Sequence, residues 1–343
     1  MSETLGHEKG ARPDLVGSGR DDLADPARVG LSVCIPCYSA PAWMLQESID
    51  SAAGQLPSGT ELVVLPNGPR AIETVAQVTL PPGARVVPSA DVLDLVTNWN
   101  RCLDTAFGEL VHILHEDDAV APGFYRVVAA AAQRFPSAAL YASASQSFEA
   151  PLPSEEDIAA EPVLLEGLDA ARLLLLDGRH SCGNVVFTRR ALNASGGFLP
   201  EFAYCCDEEA YLRLAAVGGI GFHSAPLYRN RVHAGQARYA DWLRPEFVET
   251  YVSSRVEGAR ALGSEAFALA ERSSEERVVS VAVTLASAGY GAEAVQQLQR
   301  LEAFIRPRRS RRVRVAKALC RSRAGLALMR ARRRVIAGGD GDQ

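Results

Sequence analysis

The stretch VHILHEDDAV, residues 111–120, joins a run of apolar residues to one histidine and three consecutive carboxylates. Glu116, Asp117 and Asp118 repel one another at this spacing, because neighbouring like charges disfavour the ionised form unless a cation or another positive group is present. A solvated turn would also explain a run of charges. The place of this acidic run in the predicted fold therefore decides between a cation site and a turn.

Apolar runs alternate with amphipathic segments on both sides of the acidic run. Buried strands are predicted at LSVCIPCYS (31–39), TELVVLPNGP (60–69), ARVVPSA (84–90) and ELVHIL (109–114), and helices at 39–55 and 91–108. This alternation predicts an α/β fold, a single Rossmann-like domain with a mostly parallel central sheet.

Ligands bind to open sheets of this kind beyond the carboxyl ends of the strands. The acidic run follows the fourth strand directly, and the turns after the first two strands would lie at the same edge. Hard oxygen ligands favour Mg²⁺ or Mn²⁺, ions that are commonly shared with substrate phosphates. We therefore expect a divalent cation site at the acidic run.

Composition and charge predict how the remaining chain is organised. The protein has 343 residues, of which 48% are hydrophobic and 22% charged, as in soluble globular proteins. Residues 1–29 are polar and rich in Gly and Pro, without the apolar segment of a signal peptide, so we expect a flexible leader and a cytoplasmic protein. The α/β domain is expected at 30–237, a helical extension at 238–303 and a basic tail at 304–343.

The seven cysteines are expected to be reduced and mostly buried. Cys34 and Cys37 have the spacing of a redox pair, and Cys205 adjoins Cys206. However, Cys34 lies inside an apolar strand, whereas a redox pair places its attacking thiol at a helix N-terminus. No second CxxC completes a zinc site.

The basic tail has two competing interpretations. Residues 306–334 contain thirteen Arg and Lys and no acidic residue, so the rest of the chain carries a net charge of −18. A basic amphipathic helix would bind an anionic membrane surface, which would make the protein peripheral at the inner face of the membrane. Alternatively, the tail docks on the acidic body. Nucleic acid is a poor partner because the arginines lack interleaved aromatic residues.

Five segments, in order and between Leu31 and Gln236, resemble the family 2 glycosyltransferases with the A-type fold. The segments are SVCIPCYS, NWNRCLDTAFGELVHILHEDDAVAPGFY, CGNVVFTRRALNASGGF, DEEAYLRLAAVGGIGF and YRNRVHAGQ. The resemblance implies a metal-dependent, inverting transfer of a sugar from a nucleotide diphosphate donor to a hydroxyl acceptor. A glycan, a lipid-linked intermediate or a small molecule would serve as acceptor.

The resemblance also implies roles for individual residues. Asp118 is the first choice as metal ligand, Glu116 the second, and Asp117 is placed closer to the ribose. His233 matches the closing histidine of the family and would contact metal or phosphate, unless it is structural. Asp207 would be the general base, since an inverting transfer needs one carboxylate to take the acceptor proton; the alternative is a helix cap.

Contacts to the donor are expected from a larger set of residues. They are Pro36, Tyr38, Asn67, Asn100, Glu116, Asp117 and Arg213. Arg213 would either steer the diphosphate or only cover its helix.

Two positions depart from the family pattern. Pro66 stands where the family has an acidic residue that binds the base, with Asn67 as a candidate substitute for it, and Cys206 replaces a glutamate beside Asp207. These departures keep open an alternative, a nucleotide-sugar-binding protein with impaired catalysis. A nucleotidyltransferase would need a Gly-rich, basic loop after the first strand. The segment there, CYSAPAW (37–43), contains neither glycine nor a basic residue.

Overall fold

A computed structural model describes residues 30–176, 182–233, 238–304 and 311–322. The predicted leader at 1–29 and most of the predicted basic tail lie outside these ranges, so the leader and the domain boundaries stay predictions.

The described strands form one sheet. Their bounds are β1 Leu31–Cys37, β2 Thr60–Pro66, β3 Arg85–Val86, β4 Leu110–Ile113, β5 Ala119–Val120, β6 Leu140–Ser147, β7 Val163–Leu165, β8 Val185–Thr188 and β9 Ile220–Asn230. Every residue of β1 is buried, as expected for a strand that is covered by helices on both faces.

The strand order is β3-β2-β1-β4-β8-β6-β9-β5, and β7 pairs with β9 at the side of this path. β1, β2, β3 and β4 are parallel. β8 runs antiparallel between β4 and β6, and β6 is parallel to β9. Six of the nine described strands thus run in one direction, which confirms the α/β class with a mostly parallel sheet.

Helices cover the sheet and continue beyond it. Their bounds are α1 Ala42–Ala53, α2 Pro69–Val75, α3 Leu95–Thr105, α4 Phe124–Arg134, α5 Glu155–Ile158, α6 Gly167–Leu176, α7 Arg189–Ser195, α8 Cys206–Gly218, α9 Arg238–Leu243, α10 Phe247–Arg260, α11 Ser264–Ser287, α12 Gly291–Phe304 and α13 Arg311–Arg321. The helices after β9 agree with the predicted helical extension.

Two local features depend on capping and on strand pairing. The acidic, Pro-containing segment 149–162 contains α5, because Ser154 and Asp157 form a capping box that satisfies the first backbone N–H groups. The last strand, β9, begins at Ile220, shortly after α8, and pairs with β6.

The helical extension has its own apolar core, which contains buried residues of α10, α11, α12 and α13. Val313, Ala316 and Cys320 place one face of α13 in this core, and Arg312 and Lys317 form ion pairs with Glu276 and Glu302. In the described part of the tail, the apolar face is therefore docked on the protein. No helix in the described ranges combines the length and apolar character needed to cross a membrane.

Six cysteines are buried: Cys34, Cys37, Cys102, Cys205, Cys206 and Cys320. Burial raises the thiol pKa of Cys34 and of Cys37 well above the usual value. Since the thiolate is the reactive form, redox chemistry at the CIPC segment is disfavoured, as expected from its place inside β1.

Candidate active site

The acidic run lies immediately beyond β4, and β5 follows it. β5 pairs with β9, so the acidic run is held against the last residues of the long strand β9. The turn after β1 lies at the same edge, because β1 and β4 are parallel neighbours. The sheet therefore gathers the predicted turn and the predicted acidic run at one place.

Asp118 is the most buried carboxylate of the run, with 2% of its surface exposed. The Tyr228 hydroxyl donates to Asp118 Oδ2 at 2.6 Å, and the backbone N–H of Arg231 donates to Oδ1 at 2.7 Å. Burial alone would raise the pKa of Asp118, but hydrogen bonds from His115, Tyr228 and Arg231 outweigh it and lower the pKa. Asp118 is therefore held as an oriented carboxylate anion, the form that binds a cation.

Glu116 organises the turn that follows β1. Its Oε1 accepts hydrogen bonds from the backbone N–H groups of Tyr38, Ser39 and Ala40, at 2.8–3.0 Å. Burial raises the pKa of Glu116 despite these three bonds. This contact holds the exposed Tyr38 ring, 55% of which is accessible, next to the acidic run.

A group of possible metal ligands is formed by His115, Asp117 and Asp118. Each of the three offers one ligand atom, and these atoms lie within 4.8 Å of one another. Asp117 Oδ2 is also 2.9 Å from His233 Nε2, which brings the predicted closing histidine to the same cluster. Two carboxylates with an imidazole fit a divalent cation that accepts oxygen and nitrogen ligands. The predicted ligands Glu116 and His233 stay predictions.

Arg231 fixes the end of β9 to the cluster. Its Nε donates to the Asp117 carbonyl at 3.0 Å, and its guanidinium pairs with Glu47 on α1. The guanidinium also lies over the rings of Trp43 and Phe148, 5.0 and 3.5 Å from their centroids. Arg231 thus ties the acidic run and the end of β9 to α1 and to the residue that follows β6.

Asp207 lies in the first turn of α8 and keeps part of its surface accessible. Burial, followed by the negative charge of Glu208, raises the pKa of Asp207 to about 7, while His115 acts in the opposite direction. His115 therefore lies near enough to Asp207 and to Asp118 to lower the pKa of both. A carboxyl group with a pKa near neutrality is suited to accept a proton.

Three predicted donor-binding residues already have protein partners. The Asn67 side chain donates to the Leu93 carbonyl and accepts from its N–H, and Asn100 makes the same pair of bonds with Phe198. Arg213 uses all three guanidinium nitrogens, on Glu209 and on the carbonyls of residues 195–197. These side chains hold loops around the edge of the sheet, and their contacts with a donor stay predictions. Pro36 is buried near the end of β1.

The departure at Cys206 lies outside the site. Cys206 is fully buried in the core under the sheet, whereas the neighbouring Asp207 is accessible. The side chain that replaces the family glutamate is therefore a member of the apolar core.

Sequence reasoning did not assign a role to His115, Tyr228 or Arg231. His115 adjoins the acidic run, and Tyr228 and Arg231 belong to the segment YRNRVHAGQ, so a local signal existed for all three. The pairing of Tyr228 and Arg231 with Asp118, more than 100 positions away, is a tertiary contact that the sequence does not display.

A mostly parallel sheet with an oriented acidic cluster at its carboxyl edge defines the class: a nucleotide-diphosphosugar transferase fold of the A type. Residues 32–194 match the family model described as glycosyl transferase family 2, so this segment of the chain is similar to that family.

Solved structures with a similar fold include two glycosyltransferases. S. aureus TarS 1-349 in complex with UDP-GlcNAc has a TM-score of 0.57 at 15% identity, with 88% of this chain and 89% of that chain covered. The mannosyltransferase PcManGT from Pyrobaculum calidifontis, in complex with GDP-Man and Mn²⁺, has a TM-score of 0.50 at 16% identity, with 92% and 91% covered. At these identities the likeness is one of fold.

A curated relative is Uncharacterized protein MT1568 of Mycobacterium tuberculosis (strain CDC 1551 / Oshkosh). It is 33% identical over 100 residues, which is 29% of this chain and 31% of the relative. The match thus spans about a third of that relative's length.

Proposed function

We propose that the protein is an inverting, metal-dependent glycosyltransferase that moves a sugar from a nucleotide diphosphate donor to an acceptor hydroxyl. The observation that carries the proposal is the cluster of His115, Asp117 and Asp118, whose ligand atoms lie within 4.8 Å of one another. Asp207, the candidate base, is close enough to His115 for their charges to interact.

The residues of the chain divide the work of the reaction. Asp118, kept ionised by Tyr228 and the Arg231 amide, and Asp117 would hold Mn²⁺ or Mg²⁺ together with His115. When bound there, the ion would offset the negative charge that builds up on the leaving diphosphate. Glu116 shapes the turn that carries Tyr38, which would line the nucleotide site.

Asp207 would take the proton of the acceptor hydroxyl as the acceptor oxygen attacks the anomeric carbon. A pKa of about 7 leaves a substantial fraction of Asp207 ionised at neutral pH while keeping it basic enough to accept the proton. One carboxylate is sufficient if the diphosphate leaves without protonation, and attack from the face opposite the leaving group gives inversion. Relatives in fold bind UDP-GlcNAc and GDP-Man, which supports a nucleotide-sugar donor.

The proposal is tested by mixing the purified protein with a panel of nucleotide sugars, with and without Mn²⁺, and measuring released nucleotide diphosphate. We expect release with at least one donor, dependent on Mn²⁺ or Mg²⁺, and lost in Asp207→Asn. Metal-dependent donor binding without release by the wild type would instead favour the binding protein with impaired catalysis. Cys206, one of the two departures that raised that alternative, is buried in the apolar core.

We also propose that the enzyme is cytoplasmic and associates peripherally with an anionic membrane surface through its basic tail. The face of α13 opposite the docked face exposes Arg311, Arg314 and Arg321. Each basic side chain near such a surface contributes about 1 kcal/mol. The bilayer contact would be electrostatic, because the apolar face of α13 is occupied.

The test for membrane association is co-sedimentation with vesicles of anionic lipid at low salt, where the electrostatic attraction is largest. Replacing Arg311, Arg314 and Arg321 by Gln should reduce the bound fraction. The control replaces Arg312 and Lys317, which pair with Glu276 and Glu302. Equal binding by the wild type and the triple variant would leave the tail as an intramolecular strap.

A further inference from the structure

A buried arginine of the helical extension contacts the helix that carries the candidate base. Arg255 lies on α10 with 4% of its surface exposed, and its Nη1 donates to Glu208 Oε2 at 2.8 Å. Glu208 directly follows Asp207 in the first turn of α8. This ion pair therefore links the helical extension to the immediate neighbour of the base.

The other donors of Arg255 bind two further helices. Nε donates to Ser274 Oγ at 3.0 Å, and Nη2 donates to Ser273 Oγ at 3.0 Å and to the Leu175 carbonyl at 2.7 Å. Ser273 and Ser274 belong to α11, and Leu175 to the last turn of α6. A buried charge is retained only when it is paired and hydrogen-bonded, so this arrangement is costly to break and fixes four helices relative to one another.

The first turn of α8 needs such a restraint. Ala203, three residues before Cys206, has φ of 41°, a left-handed conformation that costs a non-glycine residue free energy. Cys206, which stands in place of the family glutamate, is buried in the apolar core. Asp207 itself accepts the N–H of Glu208 at 2.9 Å, so movement of Glu208 moves Asp207.

We propose that Arg255 is a positioning residue for sugar transfer: through Glu208 it fixes the first turn of α8, and with it the Asp207 carboxylate, relative to the acidic cluster. This role rests on the proposed function. Arg255 touches no reacting atom in this role. The helical extension thereby becomes part of the catalytic unit, although it lies outside the segment matched to the family, 32–194.

The test compares kcat and the donor KM in Arg255→Gln, Arg255→Lys, Glu208→Gln and the double variant Arg255→Gln with Glu208→Gln. We expect kcat to fall about tenfold to hundredfold in Arg255→Gln, since a misplaced catalytic group costs this much. The donor KM should change less than twofold, because the metal cluster is untouched. Arg255→Lys should recover part of kcat, and the double variant should lose no more than Arg255→Gln, as both changes break the same link.

The matched control is Arg300→Gln. Arg300 also pairs with α10, through Glu249 at 3.1 Å, but lies on α12. It should leave kcat unchanged. A fall of kcat in Arg300→Gln equal to that in Arg255→Gln, or additive losses in the double variant, would overturn the positioning role.

The outcomes separate this inference from the proposed function. Absence of transfer by the wild type with every donor would refute the proposed function and the positioning role with it. Transfer by the wild type with unchanged kcat in Arg255→Gln and Glu208→Gln would refute the positioning role alone. If Arg255→Gln does not fold, Glu208→Gln decides, because Glu208 is 23% exposed and its replacement leaves the core packed.

Discussion

Removing the Tyr228 hydroxyl should weaken metal-dependent nucleotide binding without any change at the ligands themselves. The hydroxyl donates to Asp118 Oδ2 at 2.6 Å, and Asp118 is 2% exposed, so water cannot replace the lost bond easily. A hydrogen bond to a charged group contributes about 1.5–3 kcal/mol. This free energy corresponds to about tenfold to hundredfold in a binding constant, which is also the usual effect of losing the group that orients a metal ligand.

Asn230 also contacts Asp118, at 3.3 Å, and the Arg231 amide bond stays in place. We therefore expect Tyr228→Phe to lie near the lower end of that range. The assay is isothermal titration calorimetry of UDP and GDP in the presence of Mn²⁺. The matched control is Tyr125→Phe, which removes a buried hydroxyl that bonds to His112 at 3.1 Å. Equal affinities in the wild type and Tyr228→Phe would refute the assignment of Asp118 as an oriented ligand.

The same substitution should change the acid sensitivity of the fold. Because the pKa of Asp118 is lowered in the folded protein, its stabilising effect is present above the unfolded pKa and is lost as the pH falls through the folded value. Tyr228→Phe removes one cause of the lowering. The variant should therefore lose less unfolding free energy than the wild type as the pH falls from 6 to 3, because the gap between its folded and unfolded pKa values is smaller, as measured by urea denaturation.

Three further outcomes are expected. Asp207→Asn should cut transfer by at least about a hundredfold with donor affinity unchanged, and a wild-type rate in this variant would leave Asp207 as a helix cap. Transfer by the wild type should rise with pH through about 7, because burial and then the charge of Glu208 raise the Asp207 pKa to that value. Burial lowers the pKa of His112 to about 4, so the unfolding free energy should fall by about 3 kcal/mol as the pH drops from 6.5 to 4. Urea denaturation of His112→Gln should show a weaker dependence of the unfolding free energy on pH. The same pH dependence in the variant and the wild type would contradict this role of His112. Gly183→Ala should weaken Mn²⁺-dependent nucleotide binding in calorimetry at least as much as Tyr228→Phe does, because the added Cβ would overlap the Tyr228 hydroxyl. A Gly183→Ala variant with the affinity of the wild type would show that the Tyr228 side chain can move without loss of binding.

The parallel half of the sheet was predictable from the sequence because its signals are local. β1 and β2 are continuous apolar runs, and the Asp94 side chain caps α3 where the amphipathic pattern begins. β5 and β7 have only two and three residues. Strands this short exist through their pairing with β9, so no periodicity precedes them in the sequence.

The candidate site was predictable at the level of its elements. Asp118 follows a strand, and the rule that ligands bind at the carboxyl edge places it correctly. The contacts of these carboxylates could not be predicted. Tyr228 and the Arg231 amide, which donate to Asp118, come from β9 and the chain just beyond it, and Glu116 accepts from backbone N–H groups that carry no sequence signature. Arg255 belongs to a helix with no local motif, and only the packing of α10 against α8 brings it to Glu208.

The central claim is that Asp118 belongs to a metal site that holds a nucleotide diphosphate. The most direct measurement is calorimetric titration of UDP and GDP into the wild type and Asp118→Asn, each with Mn²⁺ and with EDTA, with folding checked by circular dichroism. The account predicts binding of at least one nucleotide by the wild type with Mn²⁺, and none in EDTA or in a folded Asp118→Asn. Equal affinity in the two proteins, or binding that is unaffected by EDTA, would contradict it.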